Sequence, residues 1–564
     1  MNRDHDPRAT DQLEAIEPKR FRVSRRRLVG SAAGGAAALS LGAGWPRLAG
    51  AGPAPAGHAG RRAAQADEPT IVIGTLGEAS SINPFAVNES EGYWRCKMLF
   101  DEFVRANAAT YAPEPGLASE WTIEDLVFTF TVRDNATFAD GTDVTAEDVA
   151  FTLKGMLAAE TASPSQIKYM AIDGAEAFAA GDADDVSGIE VVDPKTLKIT
   201  LARPDAPFLY NLRYLFVVPA AMLEGKDISN TSTEAFFQSP IGAGPFVFES
   251  WETGGDFVAT RNENYWQEGK PALASFTHRV IADSQSLVLA LQNDEIDASN
   301  YPNPAAKEQL EENPELTILV PPFASPNGWM FNLANEHLAK KEVRQAIAMA
   351  LNTDQFASDF LLGLSRAGLG PIAPDSWAHD PDLEPIPYDV EAARQMVIDA
   401  GSEGAQIRFN VNKGNVLRED WLTYTQQALE EIGIEVVAEL LEYATLVDQV
   451  TISKDYDATG VDFAGVTAEP SELFEQFHSE SSGNYMNYSN PELDALLVQA
   501  KETLEIEEAK PIYAEIQRIL IEDVPMFFAW YRPFLHAVEN TYTGYTDSAA
   551  YGLFHTLEDW TVTE

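Results

Sequence analysis

The fold is decided by residues 117–153, which read LASEWTIEDLVFTFTVRDNATFADGTDVTAEDVAFTL. Residues 128–133 alternate apolar and polar side chains, and this period of two predicts a strand with one buried face. The Asp-Gly pair at 140–141 predicts a turn, because glycine tolerates positive φ. Thr145, followed three residues later by Asp148, has the spacing of a helix N-terminal cap. The stretch therefore predicts a strand, a turn and a capped helix.

The same stretch resembles a signature of the family 5 extracellular solute-binding proteins of ABC importers, the oligopeptide-, dipeptide- and nickel-binding group. In that family the sequence runs roughly LA-x-x-W, then a strand of the form Y-x-F-x-L-R, then DGT-x-x-T-A-x-DV. The matching residues are Leu117, Ala118, Trp121, Phe130, Arg133, Asp140, Gly141, Thr142, Thr145, Ala146, Asp148 and Val149. The resemblance implies an α/β, periplasmic-binding-protein type II-like fold of two lobes with a hinge and an extra subdomain on the first lobe.

Further matches follow in the family's order, from about residue 71 to about residue 531. They include SINPF at 81–85, SPIGAGPFVFESW at 239–251, RNENYW at 261–266, GKP at 269–271, VRQAI at 343–347 and YSNPELDALL at 488–497. In the second of these, Ala243 stands where the family usually has threonine. The matches span nearly the whole chain beyond its N-terminal region, so coincidence does not explain them.

The resemblance also implies how the chain divides. The predicted parts are residues 1–66, a signal and linker; 67–110, 232–321 and 525–564, lobe I; 111–231, the extra subdomain; and 322–524, lobe II. Independently of the family, strands at 406–411 and 434–440 enclose an amphipathic helix at 417–432 that Gly433 ends. Such a unit requires parallel strands, and therefore a sheet covered by helices.

The N-terminal region resembles a twin-arginine export signal. Arginines at 25–27 precede an Ala/Gly-rich run, 28–43, that is too short and too poor in large apolar side chains for a membrane span. The AQA triplet at 64–66 has the form of a cleavage site, which predicts a mature chain beginning at Asp67. Cleavage after 49–51, or an uncleaved signal acting as an anchor, are the alternatives. The expected location is periplasmic or extracellular, reached by the twin-arginine route.

Charge excludes some partners. The 564 residues carry a net charge of −48, and residues 1–66 carry +6, so the remainder carries −54. An acidic surface of this kind repels nucleic-acid phosphates and anionic lipid headgroups. We therefore predict no nucleic-acid partner. The charge is explained either as a solvated surface suited to salty or acidic surroundings or as a field that concentrates cationic ligands.

The common catalytic motifs are missing from the sequence. It contains no G-x-S-x-G elbow and no P-loop G-x-x-x-x-G-K-[ST]. None of the six histidines after residue 66 lies three or four residues from another, so the usual helical spacing of metal ligands is absent. The single cysteine, Cys96, has no disulfide partner and is expected to be a buried apolar residue. We predict no catalytic residue, no cofactor and no metal.

The resemblance points to one segment of the ligand cleft, DFAGVTAEP at 462–470. In the peptide-binding relatives an aromatic residue there is followed three residues later by an aspartate that pairs with the peptide's α-ammonium group. Here the aromatic is Phe463 and the aspartate position is Val466, which cannot accept that hydrogen bond. Either Asp462 or Glu469 takes over this role, or the ligand is a sugar, an oligosaccharide or another organic solute.

Further side chains are predicted to contact the ligand: Asn83, Phe85, Trp329, Arg366, Trp530 and Tyr531. Trp329 offers an aromatic wall, and Arg366, in the loop GLSRAGLGPIAP, can bind a carboxylate through two parallel hydrogen bonds. The SINPF element stands next to the cleft in the family. Core packing explains Trp329 equally well, and a solvated loop position explains Arg366.

The primary functional hypothesis is a receptor that closes over a small organic solute or peptide and delivers it, as a monomer, to an ABC permease in the membrane. An exported hydrolase is the first alternative, because the many carboxylates allow a catalytic pair. A sensory or chaperone-like receptor on the same fold is the second. The hydrolase would turn its ligand over, whereas the sensory receptor would bind it without promoting uptake.

Overall fold

The computed structural model describes residues 68–87, 89–107, 112–252, 254–281, 283–321, 326–362, 364–413, 415–442, 445–446, 448–462, 470–481, 483–531, 534–546 and 552–563. Its strands are β1 (Thr70–Thr75), β2 (Val104–Ala106), β3 (Pro113–Pro115), β4 (Ala118–Glu124), β5 (Val127–Val132), β6 (Ile189–Asp193), β7 (Thr196–Thr200), β8 (Phe246–Trp251), β9 (Asp256–Arg261), β10 (Ser275–Val280), β11 (Ala298–Asn300), β12 (Leu316–Leu319), β13 (Pro326–Phe331), β14 (Gln406–Asn412), β15 (Glu435–Leu441), β16 (Ala458–Asp462), β17 (Met526–Tyr531), β18 (His536–Glu539), β19 (Tyr542–Thr543) and β20 (Thr561–Val562). Its α-helices are α1 (Ser90–Phe100), α2 (Ala146–Leu157), α3 (Ala175–Ala179), α4 (Pro207–Asn211), α5 (Ala220–Leu223), α6 (Ala235–Gln238), α7 (Ser284–Gln292), α8 (Lys307–Glu311), α9 (Lys341–Ala350), α10 (Thr353–Phe360), α11 (Val390–Asp399), α12 (Val416–Glu431), α13 (Glu472–Phe477), α14 (Pro491–Glu502) and α15 (Ile506–Asp523).

Lobe I is built on a seven-stranded sheet with the order β12-β18-β11-β1-β10-β9-β8. Its central strand, β1, runs parallel to β10 and β11, while the other neighbouring pairs are antiparallel. β1 is buried from Ile71 onward, as expected for an apolar strand in the middle of a sheet. Parallel neighbours bring their carboxyl ends together, so Thr75, Val280 and Asn300 end at one edge of the sheet.

The stretch at 117–153 folds as its sequence predicts. β5 buries Phe128 and Phe130 and lies in an antiparallel four-stranded sheet with the order β4-β5-β7-β6. Gly141 turns the chain with φ 87°. Thr145 and Asp148 then make both hydrogen bonds of a capping box at the start of α2, which packs against β6 and β7. This sheet and its helices form the extra subdomain.

Lobe II is built on a five-stranded sheet with the order β15-β14-β16-β13-β17. The predicted β-α-β unit is confirmed as β14, α12 and β15, and Gly433 follows the helix with φ 82°. β14 runs parallel to both β15 and β16, so Asn412, Leu441 and Asp462 end at one edge. Strand β13 is antiparallel to this set, and β17, which is antiparallel to β13, runs in the same direction as β14, β15 and β16.

The chain passes between the two larger sheets twice, from β12 to β13 and from β17 to β18. The predicted boundary at residue 525 is one strand too early, because β17 (Met526–Tyr531) pairs with β13 inside the lobe II sheet. β17 is buried at every position and packs into the core of that lobe, which its apolar sequence MFFAWY allows. The second crossing therefore follows Tyr531. In lobe I, Cys96 is fully buried, as predicted.

Candidate functional site

The strand directions locate the candidate site. In the lobe I sheet β12 runs the same way as β1, since β12 is antiparallel to β18 and β18 is antiparallel to β11. β12 therefore ends, and β18 begins, at the edge that holds the carboxyl ends of β1, β10 and β11. In lobe II, β13 begins and β17 ends beside the carboxyl end of β16, where Asn327 lies opposite Asp462 and Trp530. Both crossings thus join the carboxyl edge of one sheet to the carboxyl edge of the other.

Ligands of open α/β sheets bind outside the carboxyl ends of the strands. Here two such edges are linked by the crossings, so a molecule held between them contacts both lobes. Rotation about the crossings would open and close this space, which is a common motion of two lobes joined by a hinge. We call the space between the two edges the cleft.

A partly buried polar network connects elements at the lobe I edge. The Glu78 carboxylate, in the loop after β1, accepts hydrogen bonds from Arg95 Nη2 at 2.9 Å, Trp251 Nε1 at 3.2 Å and the Gly254 amide at 2.9 Å. The Arg95 guanidinium also lies over the Trp251 ring, 4.7 Å from its centroid. These contacts connect the end of β1 to α1 and to the β8–β9 turn.

His278 belongs to the same network as a neutral ring. Arg95 Nε donates to His278 Nδ1 at 3.3 Å, and because an arginine can only donate, Nδ1 is the unprotonated nitrogen. The proton is then on Nε2, which donates to Thr75 Oγ1 at 2.6 Å, and Thr75 donates onward to the Gly77 carbonyl at 3.1 Å. Burial, and secondly the positive charge of Arg95, lower the pKa of His278 well below its usual range.

An aromatic wall lies where β11 ends. Tyr301, with φ 58°, has its ring centroid 5.9 Å from that of Trp94, 5.0 Å from that of Phe534 and 4.9 Å from that of His536. Trp94 in turn stacks on Phe554 at 5.1 Å. Sequence analysis did not select these residues. The signal that could have found Tyr301 is its position directly after a short buried strand at a carboxyl edge.

Asn300, the last residue of β11, has a buried side-chain amide at this edge. Its Oδ1 accepts from the Leu553 amide at 3.1 Å, whereas its buried Nδ2 has no hydrogen-bond partner within the described residues. A buried N–H group without a partner is costly unless something else accepts from it. Gly552 packs closely against the Asn300 side-chain amide, since a β-carbon at residue 552 would lie 2.5 Å from Asn300 Nδ2. The Asn300 side chain is therefore held by its Oδ1 hydrogen bond and by Gly552, while its Nδ2 group can still donate a hydrogen bond.

On the lobe II edge, α12 begins just after β14 ends. Asn415 caps the helix by accepting from the Arg418 amide at 3.2 Å, and Arg418 Nη1 donates to Asn412 Oδ1 at 2.8 Å. The first N–H groups of a helix favour negative charge. This part of the cleft therefore suits a carboxylate or a carbonyl oxygen.

Both predicted tryptophans lie in the lobe II core. Trp329 is fully buried, stacks on Trp421 with ring centroids 6.2 Å apart and donates from Nε1 to Thr425 Oγ1 at 2.9 Å. Trp530 is buried between Phe356 and Trp421, with centroid distances of 5.0 and 4.8 Å. Packing alone accounts for the burial of both side chains. As ligand contacts they stay predictions.

Two residues of the SINPF element have structural partners. Phe85 is fully buried and meets Phe237 edge to face at 6.4 Å. Asn83 Oδ1 accepts from the Phe85 amide at 3.0 Å, and Asn83 Nδ2 donates to the Ser229 carbonyl at 3.0 Å. The element thus anchors lobe I to the end of the extra subdomain. Its role as a ligand contact stays a prediction.

Of the remaining predicted ligand contacts, the structure describes the side chains of two and leaves four outside the described residues. The Tyr531 hydroxyl is buried within 3.3 Å of the Gly370 and Ile372 carbonyls. Arg366 is half-exposed and lies 3.3 Å from an Asp375 carboxylate oxygen, so the structure places it in a surface ion pair. Three predicted residues, Phe463, Val466 and Glu469, and the side chain of Asp462 lie outside the described residues.

Comparison with known proteins identifies the family. The family model of bacterial extracellular solute-binding proteins, family 5 (middle), matches residues 112–485. The chain belongs to this family. The family 5 relatives include the oligopeptide-binding protein AppA of Bacillus subtilis, 27% identical over 87% of this chain and 91% of the relative. The probable D,D-dipeptide-binding periplasmic protein DdpA of Escherichia coli is 26% identical over 84% and 91%.

Solved family 5 structures show the same two-lobe fold. The structure of Bacillus subtilis AppA in complex with a nonapeptide superposes with a TM-score of 0.73 and 25% identity, covering 88% of this chain and 99% of that one. These relatives are binding proteins of ABC importers, and this chain is likewise a periplasmic or extracellular substrate-binding protein. Among the residues that the structure describes, no helix is long and apolar enough to cross a membrane.

Proposed function

We propose that this family 5 protein captures a short peptide in the cleft and delivers it to the membrane permease of an ABC importer. The observation that carries the proposal is that both crossings join the carboxyl edges of the two sheets. A ligand held there is enclosed when the lobes close, and no bond has to be made or broken. The peptide class is supported by the relatives that are named for peptides.

The described side chains suit a peptide main chain. A peptide offers a carbonyl oxygen at each residue, so the free Nδ2 of Asn300 can hold it without selecting a side chain. Tyr301, which is partly exposed and backed by the buried Trp94 ring, offers aromatic surface to side chains of varied shape. In this proposal Asp462 or Glu469 pairs with the α-ammonium group, since valine stands at position 466.

The proposal extends to how the protein reaches its place of action. The arginines at 25–27 direct folded export by the twin-arginine route, and cleavage after residue 66 releases a chain that begins at Asp67. The protein acts as a monomer and has no catalytic activity of its own. Recovery of the bound peptide intact, by mass spectrometry, tests the last point.

The function is tested by titrating the chain from Asp67 with peptides of three to nine residues. Each peptide is used with a free amino terminus and with an acetylated one, and neutral oligosaccharides are tested in parallel. Free-amine peptides should bind and raise the free energy of unfolding by about 2.7 kcal/mol at a hundredfold excess over Kd. Acetylation should weaken binding at least tenfold, because it removes the charge that a carboxylate recognises. Binding of oligosaccharides but of no peptide would refute the proposal.

A further inference from the structure

The extra subdomain contacts lobe II directly, away from the two crossings. The Ala206 amide donates to the Lys501 carbonyl at 2.8 Å, and Lys501 Nζ lies 3.7 Å from Asp205 Oδ1. Asp205 and Ala206 precede α4 in the subdomain, whereas Lys501 is in the last turn of α14, which packs in the lobe II core. The two sides of this contact are therefore carried by different lobes.

The contact is suited to hold two surfaces together. The last carbonyls of a helix have no partner within the helix, so the Ala206 N–H satisfies a group that α14 leaves open. Asp205 is 6% exposed and Lys501 is 29% exposed, so their attraction is less screened than that of a surface pair. The Lys501 ammonium also lies 5.0 Å from the centroid of the Phe474 ring on α13, which fixes it in position.

A second set of charges reinforces the first. Glu472, the first residue of α13, faces the positive charges of Arg213 and Lys168, which belong to the subdomain. Burial raises the pKa of Glu472, and those two cations, Arg213 first, act to lower it. Both cations are held in place by tyrosine rings: the Arg213 guanidinium is 4.4 Å and Lys168 Nζ 4.5 Å from the centroid of Tyr214. Opposite charges thus face each other across the two lobes.

We propose that these groups form a latch that closes the cleft. Asp205 and Ala206 engage Lys501, with Glu472 facing Arg213, when the lobes are closed, because the partners belong to different lobes and separate when the lobes open. The latch contacts no ligand, yet it sets the fraction of protein that is closed and so the affinity for ligand. The inference rests on the proposed function in one respect, that closure accompanies binding.

The test measures closure without ligand. Spin labels at Ile123→Cys in the subdomain and Ile398→Cys in lobe II report the distance between the lobes, since both side chains are exposed and the native Cys96 is fully buried. Lys501→Glu replaces attraction with repulsion and should lower the ratio of closed to open protein roughly fivefold to tenfold. The double variant Asp205→Lys/Lys501→Glu should recover the short distance.

Two further variants sharpen the test. Lys510→Glu has the same charge change on the same lobe but is paired with Glu507 within α15, so it should leave the distances unchanged. Lys501→Met keeps the aliphatic stem over Phe474 and removes only the charge, and it should lower the ratio about threefold. The latch is refuted if Lys501→Glu and Lys501→Met both give the wild-type distances, or if the double variant does not recover.

Titration with tri-alanine separates this inference from the proposed function. If the latch is wrong but the function is right, the peptide shortens the distance equally in the wild type and in Lys501→Glu. If the function is wrong but the latch is right, the peptide changes neither distance, while the charge variants still differ from the wild type. If both are right, Lys501→Glu binds tri-alanine roughly fivefold to tenfold more weakly than the wild type.

Discussion

Removal of the Arg105 guanidinium should strongly destabilise lobe I. Arg105 Nε and Nη2 donate to Asp101 at 2.8 to 3.0 Å, and Nη1 donates to Glu558 at 2.9 Å; all three side chains are at least nine-tenths buried. Arg105→Met removes the cation that is hydrogen-bonded to these two buried carboxylates and leaves only the charge of Lys97 nearby, and loss of such a partner costs about 3 to 5 kcal/mol of the free energy of unfolding. Asp101 keeps hydrogen bonds from Tyr265 and Trp266, so we expect a value near 3 kcal/mol.

Urea unfolding at pH 7, followed by tryptophan fluorescence, measures this loss. The matched control is Arg366→Met, which removes a half-exposed ion pair with Asp375 and should cost less than about 0.5 kcal/mol. The pKa of Glu558 is already raised by burial, so this carboxyl can take up a proton when Arg105 is absent. The loss in Arg105→Met should therefore shrink as the pH falls toward 5. A loss below about 1 kcal/mol at pH 7 would refute the reasoning.

Three other outcomes follow from the structure. Because burial lowers the pKa of His278, the unfolded chain binds a proton below about pH 6.5 that the folded chain does not, so stability should fall as the pH decreases from there, and His278→Gln should flatten that dependence in a melting series. A β-carbon at Gly328 would lie 1.8 Å from the Phe527 carbonyl oxygen, so Gly328→Ala should cost about 3 kcal/mol or more and lower the Tm. Tyr301→Ala should weaken peptide binding about tenfold by calorimetry, whereas Tyr388→Ala, which removes an exposed ring, should leave it unchanged.

Local patterns were sufficient for much of the fold. The strand at 127–132, the turn at Gly141 and the cap at Thr145 depend on residues within a few positions of one another, and each was predicted. The β-α-β unit of lobe II was also predicted within two residues at each end. These signals are reliable because period, turn chemistry and capping act through neighbouring backbone groups.

The cleft residues and the lobe boundary could not be predicted from residues close together in the sequence. Trp329 and Trp530 have the size and polarity of ligand-binding aromatics, but β13 and β17 are buried on both faces and both rings pack in the core, so their role as ligand contacts stays a prediction. The predicted boundary at residue 525 was placed one strand too early because the apolar sequence MFFAWY is equally suited to the lobe I sheet and to the lobe II sheet. Which sheet it joins is decided by pairing with β13, about two hundred residues earlier in the chain.

Strand direction, rather than residue type, locates the candidate site. Nothing in the sequence singles out Asn300 and Tyr301; they are proposed as ligand contacts because β11 runs parallel to β1 and ends where the chain crosses to lobe II. The same register puts Asn327 opposite Asp462 at the start of β13. If direction is what matters, ligand contacts should cluster within a few residues after the carboxyl ends of β1, β11, β14 and β16. They should avoid the opposite edges, even where aromatic residues are exposed there.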